Sequence, residues 1–271
     1  MVSSRTSILT VMVSSAPDRT PLAERLVQHE RAAVVASIAL LTALASGWTA
    51  SGAGLGMDAM APARGASLLI LVAMWWVMMA AMMLPSAAPA VLLYGRIRHQ
   101  HGSGAGSASS GVFLTGYMLI WLGASVIATA IQLAAAQAGL IDPMTMRASS
   151  PWTAGITLIA AGLYQLTPAK DACLFACRSP AEYLSRHWRP GVSGALRLGM
   201  LHGSFWVGCC WLLMALLFVG GVMNLVWIAA LAALVAVEKL SRRGALVGRV
   251  AGLTLIAWGA TRVAIELVAI R

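Results

Sequence analysis

Apolar runs long enough, or nearly long enough, to cross about 30 Å of hydrocarbon recur along the whole chain. They fall at 32–50, 67–84 with a continuation to 94, 112–136, 152–166, 196–219, 222–237 and 246–268. Little polar surface is left over. Of 271 residues, 59% are hydrophobic and 10% are charged, against about 25% charged in a typical soluble domain. Such a chain cannot cover a water-soluble globule, so the expected fold is all-α: a polytopic transmembrane helix bundle of about seven spans. Residues 1–31 carry Arg5, Asp18, Arg19, Glu24, Arg25 and Glu30 with no cleavable signal pattern. They are expected to be a cytoplasmic N-terminal segment, with a short interfacial helix over 23–31, and residues 32–271 to form the bundle.

The net charge of +10 would suggest a nucleic-acid partner in a soluble protein. Here the basic residues sit mostly between the apolar runs or near their ends. Fifteen of the nineteen Lys and Arg lie before the first run, after the second, between the fourth and fifth, and after the sixth. Arg64, Arg147, Arg262 and Arg271 lie on the alternate side. A bias that alternates with each crossing sets orientation in a membrane, with the N-terminus inside and the C-terminus outside. It calls for a lipid bilayer as partner and for no nucleic acid.

The second run is rich in sulfur. Met74, Met78, Met79, Met82 and Met83 are five of the fifteen methionines and fall within ten residues. On a helix, Met74, Met78 and Met82 stack on one face and Met79 and Met83 on the adjoining one. Pro85 follows and should kink the helix just past the cluster. Thioethers are soft donors that suit Cu(I), but methionine also fills gaps in any apolar core.

The four cysteines form two pairs. Cys209 and Cys210 stand in the middle of the fifth run, and Met214, four residues beyond Cys210, shares its face. His202, seven residues before Cys209, shares the face of that residue. Adjacent thiols point about 100° apart on a helix, so each needs partners from other helices to hold one ion. Opposite chain directions in the second and fifth spans bring the methionines and these cysteines to similar depth. The second pair, Cys173 and Cys177, is spaced for one helical face at the cytoplasmic edge, beside Lys170 and Arg178, where a thiolate should be favoured. Packing of both thiols into a core is the competing reading for each pair.

Elsewhere, His99 and His101 lie on a loop, and 101–111 reads as a flexible Gly/Ser linker. Met57, Met60, Met144, Met146 and Met223 lie on loops of the outer side, where they could form a collecting surface for Cu(I). Glu238 and Lys239 are expected to anchor the end of the sixth span or to pair with Arg178 or Arg242.

Four stretches together resemble a known family. They are Met74-Trp75-x-x-Met78-x-x-Ala81-Met82-Met83-x-Pro85; Tyr164-Gln165 through Pro168-x-Lys170-x-x-Cys173-Leu174-x-x-Cys177-Arg178-x-Pro180; Gly208-Cys209-Cys210-Trp211-x-x-Met214; and Gly221-x-Met223-Asn224 leading to Glu238-Lys239. In this order they are similar to a domain-of-unknown-function family of predicted metal-binding integral membrane proteins, some labelled copper chaperones. The resemblance covers about 65–245. It implies association with a metal, copper first, carried by Met74, Met78, Met79, Met82, Met83, Cys173, Cys177, Cys209, Cys210 and Met214.

The expected function is therefore binding of a soft metal ion, Cu(I), for transport or delivery across the inner membrane, with a soluble copper carrier as a further partner. No Walker motif or other nucleotide-binding pattern occurs, which disfavours ATP-driven pumping. A membrane thiol or redox enzyme is the alternative, though no Cys-x-x-Cys supports it. A structural assembly subunit whose methionines only pack is the third reading.

Overall fold

The computed structural model describes residues 65–100, 106–142, 145–178, 180–222, 224–241 and 243–269, with a few isolated positions before residue 65. The expected first span, the N-terminal segment, Met57, Met60, Met144, Met223, Arg242 and the side chains of His99 and His101 lie outside the described residues.

The chain is all-α apart from one small turn of sheet. Helix α1 (Gly65–Gln100) and α2 (Gly106–Gln137) are followed by the antiparallel pair β1 (Ile141–Asp142) and β2 (Arg147–Ala148). Then come α3 (Pro151–Gln165), α4 (Pro168–Arg178), α5 (Pro180–Arg186), α6 (Gly191–Ala215), α7 (Leu217–Gly220), α8 (Leu225–Leu240) and α9 (Gly244–Ala269). Among the described residues, four stretches are long and apolar enough to cross a membrane: Leu68–Arg98, Ser110–Gln137, Gly191–Gly220 and Gly244–Ala269. The expected fourth and sixth spans are the helices α3 and α8, at 15 and 16 residues. Both fall short of the roughly 20 residues that cross a bilayer without help.

Local signals explain the boundaries. Ser150 caps α3 by accepting from the Thr153 amide at 3.2 Å, and Pro151 occupies the first turn, where its missing N–H costs nothing. Asn224 caps α8 in the same way, accepting from the Trp227 amide at 3.2 Å. Gly221, at φ 97°, makes the tight turn expected between the two runs, in a backbone region that glycine enters without strain. Helix α1 runs on through Pro85 and Pro89 for 36 residues. The 101–111 segment is partly helical, since α2 begins at Gly106.

The polar stretch 167–194, expected as a loop, instead contains α4 and α5. Pro168 starts α4 directly after α3, with the Thr167 hydroxyl accepting from the Lys170 amide at 3.3 Å. This helix buries Lys170, Leu174 and Cys177, spaced four and three residues apart, on the face turned to α6.

Small residues let the long helices approach closely. A methyl group added at Gly199 on α6 would collide with the Phe113 carbonyl of α2, and one at Gly116 on α2 with the Leu196 carbonyl of α6. Between α3 and α9, a Cβ at Gly259 would stand 2.7 Å from the Gly155 carbonyl oxygen. Close backbone contact of this kind is how helices associate in lipid, where apolar surface gains nothing by leaving its surroundings. Large apolar side chains face outward along α2 and α9, among them Ile127, Ile131, Leu253, Ile265 and Val268. The methionines point inward: Met74, Met78, Met79, Met82 and Met83 are all at most 5% exposed.

Candidate metal centre

The site is built on Trp206, a buried residue just past the middle of α6. Its carbonyl accepts from both Cys209 Sγ at 3.0 Å and Cys210 Sγ at 3.1 Å, so both thiols fold back along their own helix. Its indole Nε1 donates to Met83 Sδ at 3.2 Å, which ties the methionine helix α1 to the cysteine helix. Its ring carries the Lys239 ammonium at 3.0 Å from the centroid. Met83 is the methionine whose sulfur bonds to α6 among the described residues. Met74, Met78, Met79, Met82 and Met214 are buried in the same contiguous core.

Helix α4 brings in the second cysteine pair. The Cys177 thiol lies beside that of Cys209 and interacts with it, as Cys209 does in turn with Cys210. Cys173 lies one turn earlier on the same face and packs on Gly208, where a Cβ would come 3.0 Å from its sulfur. Any larger residue at 208 would push α4 away. The Tyr164 hydroxyl also donates to the Gly208 carbonyl, pinning α3 to the same point. The two pairs, read from the sequence as one mid-span site and one edge site, thus share a single α4–α6 seam. All four cysteines are free thiols.

Two charge expectations are corrected. Glu238 does not anchor a helix end; its Oε2 accepts from Lys170 Nζ at 2.7 Å, with both side chains 1% exposed, and its Oε1 accepts from Gln165 Nε2 at 2.7 Å. Arg178 donates to the Ser241 carbonyl at 2.6 Å. Lys170 and Arg178 are therefore engaged elsewhere and do not lower Cys173 or Cys177 as expected. Burial, with the Cys209 sulfur as a smaller cause, pushes Cys173 up, and the hydrogen bond with Cys209, then burial, pushes Cys177 well up.

The expected outer collecting surface is corrected at Met146. It is buried at 3% exposure, and its sulfur accepts from Gln132 Nε2 at 3.6 Å, while Gln132 Oε1 accepts from Trp75 Nε1 at 2.6 Å. Reading the sequence missed the partners that surround the thiols: Trp206 as hub, Lys239 above its ring, and the Lys170–Glu238–Gln165 network. The signal was present as charged residues flanking apolar runs, but only packing turns them inward. His202 was placed on the face of Cys209; it is 1% exposed, stacks edge-on to Trp206 at 5.4 Å, and its Nε2 has no hydrogen-bond partner.

What could such a site hold? Among the described residues, no three His, Cys, Asp or Glu side chains are grouped as a ready ligand set. Three neighbouring thiols, with thioethers in the same core, make a soft, low-coordinate donor set. That chemistry suits Cu(I) far better than a hard or tetrahedral ion.

One comparison with known proteins bears on the site. No curated protein matches the chain, and no solved structure does. A family model described as "PpoB2: Copper chaperone" matches residues 72–262, which takes in the methionine helix, both cysteine pairs and most of α9, beyond the reach of the resemblance read from the motifs. The chain belongs to this copper chaperone family.

Proposed function

We propose that the protein is a multi-pass inner-membrane carrier that binds Cu(I) on the Cys177–Cys209–Cys210 thiols and delivers it across the membrane or to a soluble carrier. The observation that supports this best is the contact of Cys177 with Cys209, which joins thiols from two helices inside a methionine-lined core. Met83, tied to Trp206, is the nearest candidate thioether, and Met74, Met78, Met79, Met82 and Met214 in the same core would serve as further weak donors, so the ion could exchange ligands without falling into a deep trap. Cys173, half-buried at the rim of the seam, is the outermost step and the hand-over point.

The test is copper per protein after purification in detergent under reducing conditions. Wild type should hold one Cu(I), Cys177→Ser/Cys209→Ser should hold almost none, and Met78→Leu/Met82→Leu should bind but more weakly. The Met→Leu change roughly keeps volume, so a loss of copper there reports on sulfur and not on packing. Wild-type protein without copper would sink the proposal. A two-electron thiol couple in such metal-free protein would favour the thiol redox reading instead.

A further inference from the structure

The interior holds one more charge than it can balance. Lys170 and Glu238 neutralise each other. Lys239, 7% exposed, projects from the same end of α8, lies over the Trp206 ring and interacts with the Cys209 sulfur, and among the described residues it meets no carboxylate. Among the described residues the remaining buried carboxylate is Glu238, already bonded to Lys170 and Gln165. An ammonium without a counter-ion is costly to bury, and the indole face offsets only part of that cost. A position like this makes sense if the neighbouring thiols come to carry negative charge.

We infer that Lys239 is the built-in counter-ion of a thiolate-bound monovalent metal, and so sets the preference of the site for Cu(I) over divalent ions. This rests on the thiol site proposed above. When two thiols bind one Cu(I), both S–H bonds break, two protons leave to solvent, and the metal–dithiolate unit carries one negative charge. Lys239 brings the total to zero. The same two thiolates around Zn(II) are already neutral, and Lys239 then leaves one uncompensated positive charge in the interior. At low dielectric that difference is felt strongly, because charges a few ångströms apart are poorly screened there. Lys239 also need not touch the metal: its ammonium donates charge, while its contact with Trp206 fixes where that charge sits. It is a positioning residue, and its effect should appear as selectivity.

The experiment measures Cu(I) affinity by competition with a chromophoric Cu(I) chelator, and Zn(II) affinity with a chromophoric Zn(II) chelator, on the detergent-purified full chain under reducing conditions. Compared are wild type, Lys239→Met, Lys239→Gln, Lys239→Arg and Cys177→Ser/Cys209→Ser. We expect Lys239→Met and Lys239→Gln to lose at least about tenfold in Cu(I) affinity while Zn(II) affinity holds or rises. Lys239→Arg should keep the wild-type preference. If both neutral variants keep the wild-type Cu(I)-to-Zn(II) ratio, or lose both affinities together, the counter-ion role is overturned although the thiol site stands. If wild type binds no Cu(I), or the double serine variant binds it fully, the thiol site fails and the inference falls with it.

Discussion

Buried charges and thiols divide the residue-scale behaviour of this protein. The Lys170–Glu238 pair has no water to fall back on, so removing one partner strands the other. Glu238→Gln or Lys170→Met alone should each cost about 3–5 kcal/mol, whereas the double variant Lys170→Met/Glu238→Gln should recover much of it. A double-mutant cycle on thermal stability in detergent checks this, and additive losses would mean that the pair is not coupled. The cysteines offer a second measurement. Because Cys173 is pushed up by burial, it is a neutral thiol at pH 7, and its thiolate fraction keeps rising as pH climbs past the ordinary thiol range. Its maleimide labelling rate in metal-free protein should therefore still be increasing between pH 8 and about 9.5, where an unperturbed thiol begins to level off. An early plateau would mean that a cation reaches the sulfur after all.

At the scale of elements, contact is decided by where glycine lies. On α2, Gly116 faces the α6 backbone, whereas Gly123 has nothing within 4 Å of a would-be Cβ. Gly116→Val and Gly199→Val should each force α2 and α6 apart and abolish the monodisperse folded protein, because the neighbouring atoms are backbone and cannot step aside. Gly123→Val should be recovered at wild-type yield, which size-exclusion of the three variants would show. Helix α4 matters for a different reason. Its three-and-four spacing turns Lys170, Leu174 and Cys177 to one side, so a short helix between two apolar segments delivers a thiol and a cation into the interior together.

For the whole molecule, the open question is how helices of unequal length cross a bilayer. Among the described residues four stretches meet the length that crossing needs, and α3 and α8, at 15 and 16 residues, pack against longer neighbours. The alternating basic residues nevertheless predict that every apolar run crosses. Reporter fusions after Arg98, Arg147, Arg189, Gly221 and Arg243 should read inside, outside, inside, outside, inside. An inside signal at Gly221 would make α8 a re-entrant element and undo the depth match between the methionines and the cysteines.

The sequence by itself determined the all-α class, most helix boundaries and the family, since apolar run length, capping residues and motif spacing are local properties of the chain. It also said which methionines of α1 share a face, because helical periodicity assigns that, but not that both faces turn inward. It could not say that Cys177 meets Cys209, that Lys170 turns to Glu238, or that Lys239 lies over Trp206. Each of those contacts joins residues more than thirty positions apart. Which long-range neighbours meet depends on how glycine-lined helices dock and on which polar groups must find partners once water is gone, and only the tertiary structure decides that.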